Sequence, residues 1–174
     1  MHALLKELRQ ILDAVSPRRT DQFLRAIIRA RRVFMYGLGR SGLVARMFGM
    51  RLVHLGRSAE VVGDTTTPAI RADDLLVVCS RTGHSPILRH AVRLAHKEDA
   101  QAVAVVGMRA TPLSSESDLV VRLPLEIAQG EKNQPMGSLF EQALLLYLDG
   151  MVLRLMERLE MTAEDMERIH SNLP

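Results

Sequence analysis

The sequence of 174 residues has little of what several classes of protein require. It contains no tryptophan and a single cysteine, Cys79, so it cannot form an internal disulfide. Aromatic residues make up only 3% of the chain, which argues against the base-stacking surfaces of nucleic-acid-binding proteins. No apolar run reaches the about 18 residues that a membrane span needs, and no N-terminal segment resembles a signal peptide. We therefore expect a cytoplasmic protein with neither a nucleic-acid nor a membrane partner.

Charge of one sign is not concentrated anywhere in the chain. The net charge of +3 is spread through the predicted helices, which indicates mild attraction of anionic metabolites and not a nucleic-acid surface. A hydrophobic content of 47% with 25% charged residues is ordinary for a globular protein, and this length is enough for one ample core. One domain is the simplest organisation.

The most informative segment is the apolar run over residues 33–37, which ends in closely spaced glycines. It predicts a strand, a tight turn and the start of a helix. Gly37 and Gly39 permit backbone conformations and close approaches that a side chain would block, so amides of the turn and of the helix N-terminus can face an anion. Arg40 and Ser41 add a guanidinium and a hydroxyl, which suits a compact phosphate monoester.

The same glycines allow two other interpretations. Gly37, Gly39 and Gly42 have the spacing of the dinucleotide-binding fingerprint, which also requires an acidic residue about 20 positions further on. That residue would be Glu60, which lies at the start rather than the end of its predicted strand. A purely structural glycine turn is the third alternative.

Helical and strand patterns alternate along the rest of the chain, which predicts an α/β domain with a parallel sheet. Beyond the run before the glycine turn, strands are predicted at residues 59–62, 75–79, 102–106 and 119–123. We expect N-terminal helices in residues 1–31, a core in 32–123, a loop in 124–135 and C-terminal helices in 136–174. A loop of that length is typical of a lid or an oligomer contact.

A second strand-to-helix turn, rich in hydroxyl groups, follows the third predicted strand. It contains Ser80, Arg81, Thr82, His84 and Ser85. The carboxyl ends of parallel strands converge where the strand order reverses, and ligands bind there. The two turns together therefore predict a site for the phosphate of a phosphorylated ligand.

Four motifs resemble the 6-phospho-3-hexuloisomerase branch of the sugar isomerase (SIS) domain family. They are Tyr36-Gly-Leu-Gly-Arg-Ser-Gly, Met50-Arg-Leu-Val-His-Leu-Gly, Gly63-Asp-Thr-Thr-Thr-Pro-Ala-Ile and Pro135-Met-Gly-Ser-Leu-Phe-Glu. The resemblance covers nearly the whole chain and includes the tail, where residues 168–173 are similar to the Arg-His-Ala-Asn-Leu ending of that branch.

This resemblance implies a fold, an activity and an assembly. The fold is a single three-layer α/β/α SIS domain with a five-stranded parallel sheet flanked by helices. The activity is the interconversion of 3-hexulose 6-phosphate and fructose 6-phosphate through an enediol, without a metal or a cofactor, in formaldehyde fixation or pentose supply. The assembly is a homotetramer, and apolar residues on more than one side of the helices near Leu43 and Leu139 agree with an oligomer.

The resemblance also assigns roles to three residues, each of which has a structural alternative. Glu141 matches the glutamate of the fourth motif and is the candidate base, or else a capping carboxylate. His54 matches the histidine of the Arg-Leu-x-His-Leu-Gly motif and is a candidate acid or ring-opening group, or else a core or interface residue. His170 matches the tail histidine and is a candidate contributor to a neighbouring subunit's site, or else a surface residue.

The second turn departs from the family pattern. SIS proteins usually carry Ser-Gly-Ser-Gly-Glu-Thr there, so Arg81 replaces a glycine and His84 replaces a glutamate. Arg81 adds a cation for phosphate but also bulk, while His84 replaces an anion with a group that is neutral or cationic near pH 7. A noncatalytic sugar-phosphate sensor therefore remains an alternative to the isomerase, as does an arabinose 5-phosphate isomerase.

Overall fold

The computed structural model describes residues 2–128 and 134–172. The strands are β1 (Val33–Gly37), β2 (Ala59–Val61), β3 (Leu75–Ser80), β4 (Gln101–Val106) and β5 (Leu119–Arg122). The helices are α1 (His2–Asp13), α2 (Pro17–Arg29), α3 (Gly39–His54), α4 (Pro86–Lys97), α5 (Pro112–Glu116), α6 (Ser138–Leu159) and α7 (Ala163–Ile169). Part of the loop predicted at residues 124–135 lies outside the described residues, and its described ends are the short 3-10 turns Leu125–Ile127 and Pro135–Gly137.

The five strands form one parallel sheet in the order β2-β1-β3-β4-β5. The chain moves outward from β1 to β2 and then returns to build β3, β4 and β5 on the other side, so the strand order reverses between β1 and β3. At this reversal Gly37 at the end of β1 lies opposite Cys79 in β3. The predicted α/β fold with a five-stranded parallel sheet is confirmed.

Helices cover both faces of the sheet. Alternate residues of a strand point to opposite faces, so Met35 and Val77 join the core beneath α1, α2, α3 and α6, while Phe34 and Val78 join the core beneath α4 and α5. Every residue of β3 is buried, which explains why its sequence is continuously apolar. Within the described ranges, no helix has the length and apolar character needed to cross a bilayer.

Two glycines let α3 begin directly against the end of β1. A Cβ atom on Gly42 would lie 2.4 Å from the carbonyl oxygen of Gly37, and a Cβ on Gly37 would lie 2.9 Å from the amide nitrogen of Gly42. Between them, Gly39 has a φ of +54°, in the left-handed region that glycine adopts readily. The glycine spacing thus brings the N-terminus of α3 to the carboxyl edge of the sheet at the strand-order reversal.

A buried carboxylate lies at the amino ends of the strands, on the side of the sheet opposite the glycine turn. Asp74, just before β3, accepts hydrogen bonds from the Arg32 guanidinium at 2.7 Å, from the Arg71 amide at 2.8 Å and from Arg31 at 3.2 Å. Burial raises the pKa of Asp74, but these hydrogen bonds outweigh the burial and hold the pKa below its usual value. The contacts connect the chain before β1 to the start of β3.

Candidate active site

Three helices begin near the strand-order reversal without a side-chain cap. Their N-cap residues are Leu38 for α3, Ser85 for α4 and Gly137 for α6, and within the described part of the chain no side chain of these residues caps its helix. By contrast, α2, α5 and α7 are each capped by a serine or threonine hydroxyl. The first amides of a helix have no partner inside the helix and carry a partial positive charge. The arrangement is therefore suited to an anion.

The turn after β1 is joined to α6 by an ion pair. Arg40, the second residue of α3, donates a hydrogen bond from Nε to Oε2 of Glu141 in the first turn of α6. The Arg40 side chain is 67% exposed, whereas that of Glu141 is only 12% exposed. The structure thus brings the candidate base to the turn that contains Gly39 and Ser41, although 101 residues separate the two partners in sequence.

The turn after β3 is held by its own backbone and by the neighbouring turn after β4. The buried Ser80 hydroxyl accepts a hydrogen bond from the Gly83 amide at 3.0 Å. The carbonyl oxygen of Arg81 accepts hydrogen bonds from the Gly107 and Met108 amides, both at 3.1 Å. Because Ser80 lies at the end of β3, this turn and the turn after β1 flank the same reversal.

The remaining polar side chains of this turn differ in their surroundings. Nδ1 of the exposed His84 lies 2.7 Å from the carbonyl oxygen of Thr82. A carbonyl oxygen only accepts, so Nδ1 carries the proton in this contact and Nε2 is left as an acceptor when the ring is neutral. Thr82 and Ser85 are both partly exposed. All three side chains thus lie in a partly open turn beside the start of α4.

The side chain of Arg81 extends from the turn to the start of α6. A Cβ atom on Gly137 would lie 2.6 Å from both Cδ and Nε of Arg81, closer than real Cβ contacts occur. Gly137 has a φ of +89° and is the N-cap of the helix that carries Glu141. Arg81 and Glu141, predicted from separate motifs, are therefore brought to the same region.

His54 lies at the other end of α3. Thirteen residues separate it from Ser41, which at the rise of an α-helix is about 20 Å. His54 is 5% exposed, its Nδ1 lies 3.3 Å from Nη1 of Arg51, and its ring centroid lies 4.9 Å from that of His170. Burial, and then the charges of His170 and Arg51, lower the pKa of His54, so the ring is neutral at pH 7. Within one chain, His54 and His170 are together but far from Glu141.

The two histidines line a cavity of about 670 Å³ between α3, α6 and α7. Asp149 and Glu167 also line it, together with apolar side chains such as Leu153. Exposed apolar side chains continue from the cavity along both long helices; they are Leu43, Met47, Met50 and Val53 of α3 and Leu146 and Leu153 of α6. The cavity is thus part of a largely apolar surface.

Cys79, at the end of β3, does not have the properties of a nucleophile. The residue is fully buried, and burial raises the pKa of its thiol to about 12. The thiolate, which is the reactive form, is therefore very scarce at pH 7.

Comparison with known proteins identifies the family. Residues 26–148 match the SIS domain. The chain is 35% identical over 175 residues to the 3-hexulose-6-phosphate isomerase of Bacillus subtilis (strain 168), an alignment that covers 98% of this chain and 95% of the relative. The chain belongs to the SIS domain family. Further curated relatives carry the same isomerase name, and the chain is accordingly placed among the isomerase enzymes of this family.

Solved structures agree with this placement. A protein of Methanococcus jannaschii, whose crystal structure is described as inferring a function of 3-hexulose-6-phosphate isomerase, superposes with a TM-score of 0.89 and 30% identity, covering 99% of this chain and 98% of that protein. The NanR protein of Vibrio vulnificus, solved in complex with ManNAc-6P, has a TM-score of 0.75 and 21% identity, covering 97% of this chain and 63% of that protein. The second likeness concerns the fold alone.

Sequence motifs locate the residues of this SIS domain but not their contacts. Gly137 stands inside the quoted Pro-Met-Gly motif, yet its contact with Arg81 joins residues 56 positions apart. The pairing of Arg40 with Glu141 joins residues 101 positions apart, and no local sequence pattern predicts it. The distance between His54 and Ser41 could be predicted from the sequence, because both lie in one predicted helix and the length of a helix follows directly from its residue count.

Proposed function

We propose that the protein interconverts 3-hexulose 6-phosphate and fructose 6-phosphate through an enediol intermediate. The observation that carries this proposal is the position of Glu141, a largely buried carboxylate beside the uncapped N-termini at the strand-order reversal. The names of the curated relatives support the same substrate pair. In this role the protein would act in the cytoplasm, in formaldehyde fixation or pentose supply.

The substrate phosphate binds between the two turns in this proposal. Amides at the start of α3 and the hydroxyls of Ser41, Thr82 and Ser85 surround the region, and Arg40 supplies a guanidinium. The hydroxyl of Ser80 accepts from the Gly83 amide and still has a proton to donate. Hydrogen bonds to a charged group are worth about 1.5–3 kcal/mol each, so several of them account for recognition of a phosphate monoester.

Glu141 moves the carbon-bound proton. In its carboxylate form it removes the proton from C2 of 3-hexulose 6-phosphate while the C3 carbonyl oxygen gains a proton, giving the enediol between C2 and C3. The C2 hydroxyl then loses its proton and becomes the carbonyl as Glu141 returns a proton to C3. One proton thus moves between carbons and one between oxygens, and no electron acceptor is needed. General base catalysis of this kind typically contributes about 10²–10⁴-fold.

His54 and His170 serve a neighbouring protomer's site in this proposal. His54 lies about 20 Å along α3 from Ser41 of its own chain, and the His170 ring lies beside the His54 ring. They lie within the apolar surface of α3 and α6, which is the kind of surface that oligomers bury. A homotetramer formed through this surface brings the neutral His54 to another chain's substrate as the acid or ring-opening group.

The test is an assay of the purified protein for fructose 6-phosphate formed from 3-hexulose 6-phosphate. Glu141→Gln keeps the shape of the side chain and removes its basic carboxylate, so we expect turnover to fall by about 10²–10⁴-fold with little change in the affinity for fructose 6-phosphate. Glu157→Gln, an exposed position further along α6, is the control and should keep wild-type turnover. Equal turnover in Glu141→Gln and wild type would contradict the assignment of the base.

A noncatalytic sensor is the second candidate, because His84 stands where the family usually has a glutamate. A sensor binds fructose 6-phosphate and converts no 3-hexulose 6-phosphate. The third candidate is an arabinose 5-phosphate isomerase. Parallel assays with arabinose 5-phosphate test it, since faster turnover of that substrate than of 3-hexulose 6-phosphate would contradict the hexulose assignment.

A further inference from the structure

Arg81 replaces the glycine that is usual in the SIS family, and hydrogen bonds still hold the backbone of its turn in place. Its carbonyl oxygen is held by two amides of the turn after β4. Two residues further on, Gly83 has a φ of +64°, its amide donates to Ser80, and its carbonyl oxygen accepts from Leu113 at the start of α5. The direction in which the Arg81 side chain leaves the turn is therefore set by contacts on both sides.

That direction leads across the start of α6. The Cδ and Nε atoms of Arg81 lie where a Cβ atom on Gly137 would be 2.6 Å away, and Cζ would be 3.5 Å away. The stem and the guanidinium of Arg81 thus occupy the space that any other residue at 137 would need. The chain enters α6 through two residues with positive φ, Met136 at 53° and Gly137 at 89°. Such a conformation in a non-glycine residue costs about 1–2 kcal/mol, so it persists only where surrounding contacts hold it.

Glu141 lies one helical turn beyond Gly137. Gly137 is the N-cap of α6 and Glu141 lies in its first turn, so the contact with Arg81 is at the start of the turn that carries the candidate base. On its other side Glu141 is paired with Arg40 from the turn after β1. The first turn of α6 is thus held from both sides of the strand-order reversal, by one arginine from each turn.

We infer that Arg81 is a positioning residue for Glu141, acting through its packing against Gly137 at the start of α6. This inference rests on the proposed function for its kinetic consequence, but its structural part does not. A guanidinium that served only to hold the substrate phosphate would act on substrate affinity. A side chain that sets the place of the catalytic carboxylate acts on kcat, because misplacement by about 1 Å costs as much as about 10²-fold in rate.

The kinetic test compares Arg81→Gly, which restores the usual family residue, with Arg81→Lys, which keeps an aliphatic stem over Gly137. We expect Arg81→Gly to lower kcat for 3-hexulose 6-phosphate by about tenfold or more with KM within about twofold, and Arg81→Lys to retain most of the kcat. Arg109→Gly removes an exposed arginine from the neighbouring turn and should match wild type. A rise in KM at unchanged kcat in Arg81→Gly, or an increase in kcat, would overturn the inference.

A double-mutant cycle tests the contact itself. Gly137→Ala adds a Cβ that meets Arg81, whereas in the Arg81→Gly background the same Cβ meets no side chain at 81 and only the strain of the positive φ remains. We therefore expect Gly137→Ala to lower kcat by about tenfold more in the wild-type background than in the Arg81→Gly background. Equal factors in the two backgrounds would show that the positions are not coupled.

Hydrogen exchange of the free protein tests the same idea without any turnover. The amides of residues 141–144 make the first hydrogen bonds of α6, so Arg81→Gly should speed their exchange by about tenfold while Arg81→Lys and Arg109→Gly leave it unchanged. Unchanged exchange in Arg81→Gly would overturn the positioning role. If wild type does not isomerise 3-hexulose 6-phosphate, the proposed function fails. The hydrogen-exchange result alone then shows whether Arg81 holds the first turn of α6 in place.

Discussion

The close approach of Gly42 to Gly37 makes a quantitative prediction about phosphate binding. A Cβ atom in Gly42→Ala would lie 2.4 Å from the Gly37 carbonyl oxygen, whereas real Cβ contacts essentially never fall below 3.0 Å. Because the contacted atom belongs to the backbone of β1, a side-chain rotation cannot relieve it. The start of α3 must therefore move away from the end of β1 by about 0.6 Å, the difference between the two distances.

A displacement of this size moves the amides that would bind the phosphate. N–H···O hydrogen bonds span only about 2.7–3.2 Å, so a shift of about 0.6 Å exceeds the whole range. Losing one hydrogen bond to a charged group costs about 1.5–3 kcal/mol, which corresponds to about ten- to hundredfold in the dissociation constant. We expect Gly42→Ala to weaken the binding of fructose 6-phosphate by this factor, measured by calorimetry.

Gly56→Ala is the matched control for this prediction. Gly56 follows the other end of α3, has a φ of +70° and has no atom of the described residues within 4 Å of its Cβ position. Its substitution costs about 1–2 kcal/mol of stability through backbone strain, with no displacement of the turn after β1. Thermal unfolding should therefore show a lower melting temperature for Gly56→Ala, while the affinity of this variant for fructose 6-phosphate stays at the wild-type value. Wild-type affinity in Gly42→Ala would refute a phosphate site at the start of α3.

Two further predictions concern Asp74, at the amino ends of the strands, and the contribution of the neighbouring protomer. Asp74→Asn should lower the free energy of unfolding by about 3 kcal/mol at pH 7, because it removes a fully buried carboxylate from the partly buried Arg32 and the more exposed Arg31; a loss below about 1 kcal/mol in urea titrations would contradict this. Since the pKa of Asp74 is lowered in the folded protein, its contribution is complete well above 3.8 and disappears as the pH falls below that value, so the variant should lack this acid dependence. Co-expressed Glu141→Gln and His54→Asn chains should recover turnover that neither variant has alone, because mixed oligomers contain sites with both native residues. Absence of recovery would place His54 outside the neighbour's site.

Local sequence patterns predict most of the sheet because its strands are buried. β3 is covered on both faces, so its continuous apolar run was a strong signal, and the predicted strand at 75–79 differs from Leu75–Ser80 by one residue. The start of the last long helix was harder to predict. The helical pattern begins near Met136, but Met136 and Gly137 have positive φ, and α6 begins at Ser138.

Contacts between distant motifs could not be predicted in the same way. Arg40 and Glu141 each have a local interpretation, as a phosphate ligand and as a base, and neither pattern contains information on the ion pair between them. Arg81 at a family glycine position adds bulk to its turn, and no local pattern predicts where that side chain lies. The structure places its Cδ and Nε atoms against Gly137, which provides the space because it has no Cβ. Such compensation depends on the packing of separate elements and leaves no periodic signal.

The charge of Glu141 favours the enzyme over the sensor. A carboxylate near a phosphate site repels the ligand, so a protein that only bound sugar phosphates would bind more tightly with a neutral side chain at this position. In the free protein the pairing with Arg40 offsets part of this charge, since Glu141 is only 12% exposed while solvent screens the 67% exposed Arg40. A phosphate that attracts Arg40 would reduce this compensation. If the phosphate site lies there, the carboxylate weakens binding of the ground state, and the proposed proton transfer by Glu141 in the transition state would offset that loss.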